Sequence, residues 1–316
     1  MRRFSVGASI GDGFGLVARR PLSVFVWGLL LLAPVFGGLA LIFPTMGEMF
    51  ANMPAAGADA AVDDPFPEQM FARMMQVQLA YMLLNISQLV IMAVVYTAIF
   101  RAVLRPAESG IFSLRLGMDE LRVAVVGLAI AVALYAVIVV VALLGAALGF
   151  ALWSGDPLVA AWAMGAYALL AVLGIFWATA RASMLAPASV LYRDFAFVQG
   201  WRLASGKGWP LFGMMLLILL LIVVIEVVLV LIGLVAFAGF GAAAGLHRVA
   251  DGDPFSGMEA WLAANWYWVA IGAAAASFLY GMVLSLSVAP FASACRQLAG
   301  RDAPGVDEAG SPVPAQ

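Results

Sequence analysis

A single acid interrupts the longest apolar run of the chain, and it is the residue whose chemistry most needs an explanation. Glu226 stands among Leu, Ile and Val between residues 211 and 240. An ionisable group inside a membrane span is costly, and such groups usually face the bundle interior beside a partner. Two alternatives stay open: a neutral glutamic acid that joins helices, and a proton- or cation-linked group in a polar cavity.

The candidate partners of Glu226 lie on a polar line in another apolar run. The line has a spacing of three, four and three residues, which places it on one helix face; its members are Gln78, Tyr81, Asn85 and Gln88. Counted at ~1.5 Å per residue from the predicted ends of the spans, Asn85 and Gln88 reach a depth similar to that of Glu226. Interhelical hydrogen bonding and the lining of a polar cavity are the two alternatives for this face.

Arginine, lysine and tryptophan gather elsewhere, in the short segments between the apolar runs. Anionic headgroups attract a Lys or Arg near a membrane surface by about 1 kcal/mol each. The sequence therefore predicts a surface that binds lipid or a protein partner. Its candidate residues are Arg19, Arg20, Arg115, Arg122, Arg193, Trp201, Arg202, Lys207 and Trp209.

Methionines cluster around the first predicted outer loop. Thioethers are soft ligands that select Cu(I), so a periplasmic copper site is one hypothesis. Its ligands would be Met46, Met49, Met53, Met70, Met74 and Met75. The alternative is an adaptable apolar surface or partner groove. Because no His or Cys lies nearby to complete a metal site, we predict no bound cofactor and keep Cu(I) binding as an alternative.

Composition places these residues in an integral membrane protein. Of the 316 residues, 65% are hydrophobic and 11% are charged, with a mean hydropathy of +1.05, whereas soluble domains carry about 25% charged residues. A net charge of −2 and a single lysine leave no basic field for nucleic acid. One Cys and one His argue against metal clusters and Ser-His-Asp triads, and the spans hold neither paired acids nor a nucleophile with a base. We therefore predict that the protein is not an enzyme.

Six apolar stretches are long enough to cross a bilayer, which takes about 20 residues of helix. They lie near 22–43, 78–102, 123–150, 157–181, 211–240 and 261–292. Fourteen of the 16 Lys and Arg residues fall on one side of these spans, and positively charged flanks resist translocation. We predict one membrane domain over residues 1–300, both termini cytoplasmic, and a disordered cytoplasmic tail over 301–316.

A short amphipathic segment precedes every second span. Residues 4–21 predict an interfacial helix, with Ser9 and Asp12 at the spacing of a capping box. Residues 113–122 also have the spacing of a helix with one apolar stripe. The segment before the fifth span is similar in sequence to the N-terminal segment when the two are aligned at a shift of 187 residues. The predicted fold class is therefore an all-α membrane protein with six transmembrane helices, arranged as three repeats of an interfacial helix plus a helical hairpin.

Residues 181–212 carry a resemblance to a known family. The runs that carry it are Leu185-Ala186-Pro187, Leu191-Tyr192-Arg193-Asp194, Gly200-Trp201-Arg202-Leu203 and Gly206-Lys207-Gly208-Trp209. They resemble the hallmark of a large bacterial family of six-span proteins, the glycerophosphoryl diester phosphodiesterase membrane domain-like family. In layout the resemblance extends over the whole chain. It implies an inner-membrane protein of bacteria.

The family name comes from fusions in which a soluble barrel carries phosphodiesterase catalysis. That barrel's Glu-rich, His-containing metal site has no counterpart in this sequence. The resemblance therefore implies neither the activity nor a catalytic residue. We predict that the protein organises membrane lipid or another membrane protein at the cytoplasmic surface. The alternatives are transport of a small amphiphile or ion by Glu226 in a polar cavity, and Cu(I) binding on the periplasmic side.

Overall fold

Helices make up nearly all of the computed structural model, which describes residues 4–51, 68–107, 110, 112–153, 155–243 and 264–300. No strand occurs among these residues. The helices, in chain order, are α1 (Val6–Arg19), α2 (Pro21–Ala51), α3 (Glu68–Leu104), α4 (Met118–Leu152), α5 (Pro157–Ala182), α6 (Leu185–Tyr192), α7 (Phe197–Leu203), α8 (Gly208–Ala243) and α9 (Trp266–Ala299).

Six of these helices are long and apolar enough to cross a membrane: α2, α3, α4, α5, α8 and α9. Each overlaps one of the six predicted spans, which confirms an all-α, multi-pass membrane architecture. The helices run beyond most of the predicted boundaries, since polar residues at their ends continue the backbone hydrogen bonding. The predicted tail, 301–316, lies outside the described residues.

The predicted N-terminal helix is confirmed, but its predicted cap is wrong, and its position at the membrane surface stays a prediction. Ser5, rather than Ser9, is the N-cap of α1, and its side chain accepts a hydrogen bond from the backbone N–H of Ala8. Ser9 lies inside the helix and donates its hydroxyl hydrogen to the Ser5 carbonyl. Asp12 therefore does not cap α1, and its carboxylate pairs with Arg296 of α9 instead.

The second predicted surface helix, 113–122, is wrong as a separate element. Ser113 has a positive φ of 55°, and Gly117 is the extended N-cap from which α4 begins. Residues 118–122 form the first turns of α4, so this stripe continues directly into the third span. In the third repeat the short helix α7 lies within the predicted segment, as expected. The threefold repetition itself stays a prediction.

One compact unit consists of Met1–Arg20, Ala93–Ile222 and Ser285–Gln316. It contains most of the described arginines. Its buried core includes Ile99, Met184, Leu211, Met214 and Leu286. Among the described residues of this unit, three side-chain contacts join α1 to the end of α9. They are Ser293 Oγ to Asp12 at 2.6 Å, Arg296 to Asp12 at 3.0 Å, and Gln297 Nε2 to Ser9 Oγ at 3.1 Å.

The second compact unit, Pro21–Met92 and Val223–Leu284, contains a close crossing of α2 and α9. A Cβ atom placed on Gly28 would overlap the carbonyl oxygen of Ser277, and one placed on Gly281 would overlap that of Val24. The two backbones can therefore touch only because both positions lack a side chain. Such small-residue contacts are the usual way in which membrane helices approach closely.

Candidate functional site

The junction between α3 and α4 holds a buried ion pair. Arg101 is 4% exposed and Glu120 is 6% exposed, and the guanidinium nitrogen Nη2 lies 2.7 Å from Glu120 Oε1. The other terminal nitrogen of Arg101 donates to the Ser113 carbonyl at 2.8 Å. A buried charge is stable only when it is paired and hydrogen-bonded. Arg101 therefore fixes both the start of α4 and the connection that leads to it.

A second acid extends this pair into a network. Asp119 accepts hydrogen bonds from Arg105 at 3.3 Å and from Arg122 at 3.0 Å, and lies 3.6 Å from Arg101. Arg105 also donates to the carbonyl of Val190, which connects α3 and α4 to α6. Arg122, a predicted surface residue, is thus engaged in the network, with a side chain that is 19% exposed.

A shallow cleft of about 300 Å³ opens beside this network. We call it the junction cleft; it is lined by Arg101, Arg105, Arg115, Arg193, Asp119, Glu120 and residues 116–118. Four arginines therefore face two acids, an excess of positive charge. Arg115 is exposed and makes no hydrogen bond or ion pair to any side chain in the described part of the chain. Arg193 ends α6 in the left-handed conformation, with φ 53°.

An aromatic and basic surface lies where α5, α7 and α8 meet. The guanidinium carbon of Arg181 is 5.3 Å from the ring centroid of Trp177 and 4.4 Å from that of Trp201. Arg202 and Lys207 are also exposed, and Trp209 is 75% exposed. We call this set, Trp177, Arg181, Trp201, Arg202, Lys207 and Trp209, the aromatic–basic surface.

The last two predicted surface arginines lie at the end of α1. Arg19 is exposed, and its Nε donates to the Gly15 carbonyl one turn earlier at 2.9 Å. Arg20 is half-buried and donates to Ser113 Oγ at 3.1 Å. Ser113 therefore accepts hydrogen bonds from two arginines, Arg101 on α3 and Arg20 at the end of α1. Arg20 contributes to the packing of this connection, and Arg19 to the exposed positive charge.

The intramembrane polar residues are not brought together as predicted. Gln78, Tyr81 and Asn85 are exposed on α3, and Glu226 is exposed on α8. No hydrogen bond joins Glu226 to Asn85 or Gln88 within the described residues. The Asn85 amide donates instead to the Tyr81 carbonyl at 2.7 Å, which satisfies it within its own helix. Gln88 Oε1 is buried, without a hydrogen-bond partner among the described residues.

The predicted copper site falls largely outside the described side chains. Met53 lies outside the described residues, and at Met46, Met49 and Met70 only the helical backbone is described. Met74 and Met75 are exposed on α3, at 51% and 55%. The methionine hypothesis therefore stays a prediction.

Sequence reasoning missed the residues that organise these sites. The predicted site residues include none of Arg101, Arg105, Asp119 and Glu120. A local signal for the pair did exist, because Arg101 and Glu120 each adjoin a long apolar run. Arg181 and Trp177 were missed as a stack, although a spacing of four residues places them on one helix face. Comparison with protein-family models, with curated proteins and with solved structures found no match to this chain.

Proposed function

We propose that this protein binds phospholipid headgroups at the arginine- and tryptophan-rich ends of its helices and organises lipid at the cytoplasmic face of a bacterial inner membrane. It does so without catalysing a reaction. The aromatic–basic surface carries this proposal. Indole rings and cations favour the headgroup region, where their apolar part contacts acyl chains and their polar part contacts water and phosphate.

The stack around Arg181 supports a headgroup surface because it holds two large rings in place. Trp177 and Trp201 both contact the guanidinium of Arg181, and both indoles remain partly exposed. Arg202 and Lys207 then present charge beside them. Neither forms a hydrogen bond or ion pair through its side chain with another described residue, so their charges are available for anionic lipid.

The orientation that this proposal requires rests on the distribution of charge. The aromatic–basic surface and the junction cleft both lie at the helix ends that carry the arginine-rich segments, and such segments are retained in the cytoplasm. The resemblance of residues 181–212 to the glycerophosphoryl diester phosphodiesterase membrane domain-like family supports the same assignment. The proposed organism class and membrane follow from that resemblance.

The test is the double variant R202Q/K207Q, reconstituted in bilayers with a spin-labelled anionic phospholipid. At about 1 kcal/mol for each cation near the surface, the two substitutions should weaken anionic-lipid association by roughly 20- to 30-fold. The matched control R202K/K207R keeps both charges and should retain wild-type association. High salt should shrink the difference, because surface charges are screened. Unchanged association of the glutamine variant would overturn the proposal.

A second candidate function is transport of a small amphiphile or ion. The observation that favours it is the buried Gln88 Oε1, which lacks a donor within the described residues and lies in the same compact unit as Glu226. Glu226→Gln should abolish flux in proteoliposomes if the acid carries a proton or cation, whereas Gln78→Ala, at an exposed position, should leave it unchanged. Equal flux in both variants would reject transport through this residue.

A further inference from the structure

The junction cleft contains a buried oxygen atom that lacks a donor. Glu120 is 6% exposed, and its Oε1 accepts the hydrogen bond from Arg101. Its Oε2 is buried and has no hydrogen-bond partner among the described residues. A buried polar atom without a partner is costly, and more so when it carries charge. Glu120 is one of the residues that line the cleft, and a donor that reached Oε2 from there would supply the missing hydrogen bond.

The same cleft has a place for an anion. Gly117 is the N-cap of α4 and provides no side-chain cap, so the first N–H groups of this 35-residue helix have no side chain of the described residues bonded to them. Such an end attracts phosphate. Arg115 stands at the same opening, and the lining carries four arginines against two acids. Donor groups for an anion and an acceptor for a cation thus lie in one small cleft.

We propose that the junction cleft binds the headgroup of an aminophospholipid. Arg115 and the free end of α4 bind the phosphate, and the primary ammonium donates a hydrogen bond to Glu120 Oε2. This inference rests on the proposed function, since it names the headgroup that one part of the headgroup-binding region would take. A volume of about 300 Å³ lies at the small end of the range for ligand pockets, which suits a headgroup better than a whole lipid.

An ammonium fits this acceptor better than the other common headgroup donors. Its three N–H groups allow it to contact Oε2 and the phosphate at the same time, and Oε2 is the carboxylate oxygen that Arg101 leaves without a hydrogen bond. A trimethylammonium group has the same charge but no N–H. Phosphatidylethanolamine and phosphatidylcholine therefore make a matched pair of probes, with equal net charge and the same phosphodiester.

The experiment is native mass spectrometry of the full-length protein released from nanodiscs that contain equal amounts of the two lipids with identical acyl chains. Retained phosphatidylethanolamine should exceed phosphatidylcholine by about tenfold, because the buried acceptor is satisfied only by the first. Mono- and dimethylated phosphatidylethanolamine should keep a preference over phosphatidylcholine that declines with each methyl group. Equal retention of all four lipids would overturn the assignment.

Two variants test the geometry without disturbing the buried ion pair. Gly117→Ala places a methyl group 3.5 Å from Glu120 Oε2, an ordinary packing distance that crowds the ammonium, so the preference should fall while the fold is kept. Arg115→Gln should lower retention of both lipids alike and leave their ratio unchanged. A wild-type preference in Gly117→Ala would place the ammonium elsewhere and overturn the assignment.

Free phosphoethanolamine separates the two sources of this headgroup. Displacement of bound phosphatidylethanolamine by millimolar phosphoethanolamine supports the same chemistry with a soluble ligand, and retention of the lipid supports the membrane source. If the wild-type protein binds the two lipids equally while R202Q/K207Q loses anionic lipid, the cleft assignment is rejected and the proposed function is kept. An unchanged R202Q/K207Q variant that still prefers phosphatidylethanolamine would reject the proposed surface and keep the cleft.

Discussion

Breaking the buried Arg101–Glu120 pair from one side should destabilise the protein strongly, whereas removing both charges should not. Arg101→Met removes hydrogen bonds of 2.8 Å to the Ser113 carbonyl and 2.7 Å to Glu120. It leaves a carboxylate that is 6% exposed with no other ion-pair partner in the described residues. One-sided disruption of a buried pair costs about 3–5 kcal/mol, and replacing both members with apolar side chains is often neutral.

The structure also predicts an asymmetry between the two single variants. After Glu120→Met, Asp119 still lies 3.6 Å from the guanidinium of Arg101, so this change should cost only about 2–3 kcal/mol, the loss of one bond to a charged group. The double variant R101M/E120M should cost less than the Arg101→Met variant alone. The free energy of unfolding is measured by SDS titration in mixed micelles, with tryptophan fluorescence as the signal.

Arg122→Gln is the matched control, since it also removes an arginine from this network. Its pair with Asp119 is a contact between residues three apart with a side chain that is 19% exposed, and it should contribute no more than about 1 kcal/mol. If both single variants at the buried pair cost under ~1 kcal/mol, with additive effects in the double variant, then the pair is not desolvated. That result would refute the reasoning.

Three further substitutions test other contacts by the same titration. Gly28→Ala should cost about 1–3 kcal/mol, because its methyl group would overlap a backbone oxygen of α9. Asp12→Asn should cost under about 1 kcal/mol, because its ion pair with the α9 arginine is 36% and 47% exposed at the two side chains. Trp201→Ala should cost about 0.5–1 kcal/mol through the lost cation–π contact with Arg181.

Each of these has an outcome that would contradict it. Gly127 has nothing within 4 Å of an added Cβ, so Gly127→Ala controls for helix propensity, and an equal loss in both glycine variants would refute the close crossing. A loss at Asp12 that persists in high salt would mean that the pair is shielded from solvent. Full stability of the Trp201 variant would mean that the indole contacts lipid rather than supports Arg181.

The long helices could be predicted because a membrane span is a continuous run of apolar residues, which is visible in the sequence. Six apolar stretches give six helices, and the amphipathic segment at residues 4–21 gives α1. Prediction from the sequence failed where a side chain binds a residue that is distant in the sequence. Ser9 and Asp12 have capping spacing, yet Asp12 binds Arg296, which is 284 residues away, and no local pattern reports such a partner.

The candidate sites also divide into features that local composition predicts and contacts that only the fold determines. Tryptophan and arginine enrichment identified the aromatic–basic surface, because membrane interfaces select those residue types. The pairing of Glu226 with Asn85 and Gln88 was inferred from depth alone, and depth says nothing about the rotation of a helix. The predicted site residues do not include Gly117, which stands between Leu116 and Met118, although it is the extended N-cap from which α4 begins and it lines the junction cleft.

The crossing of Gly28 and Gly281 sets an order of assembly during synthesis. These glycines join α2 to α9, and 253 residues separate them. At about 5–20 residues per second, a ribosome takes roughly 13–50 s to cover that distance. The first span therefore lies in the membrane without its partner backbone until α9 has been synthesised. Truncation within α9 would leave it without its partner backbone.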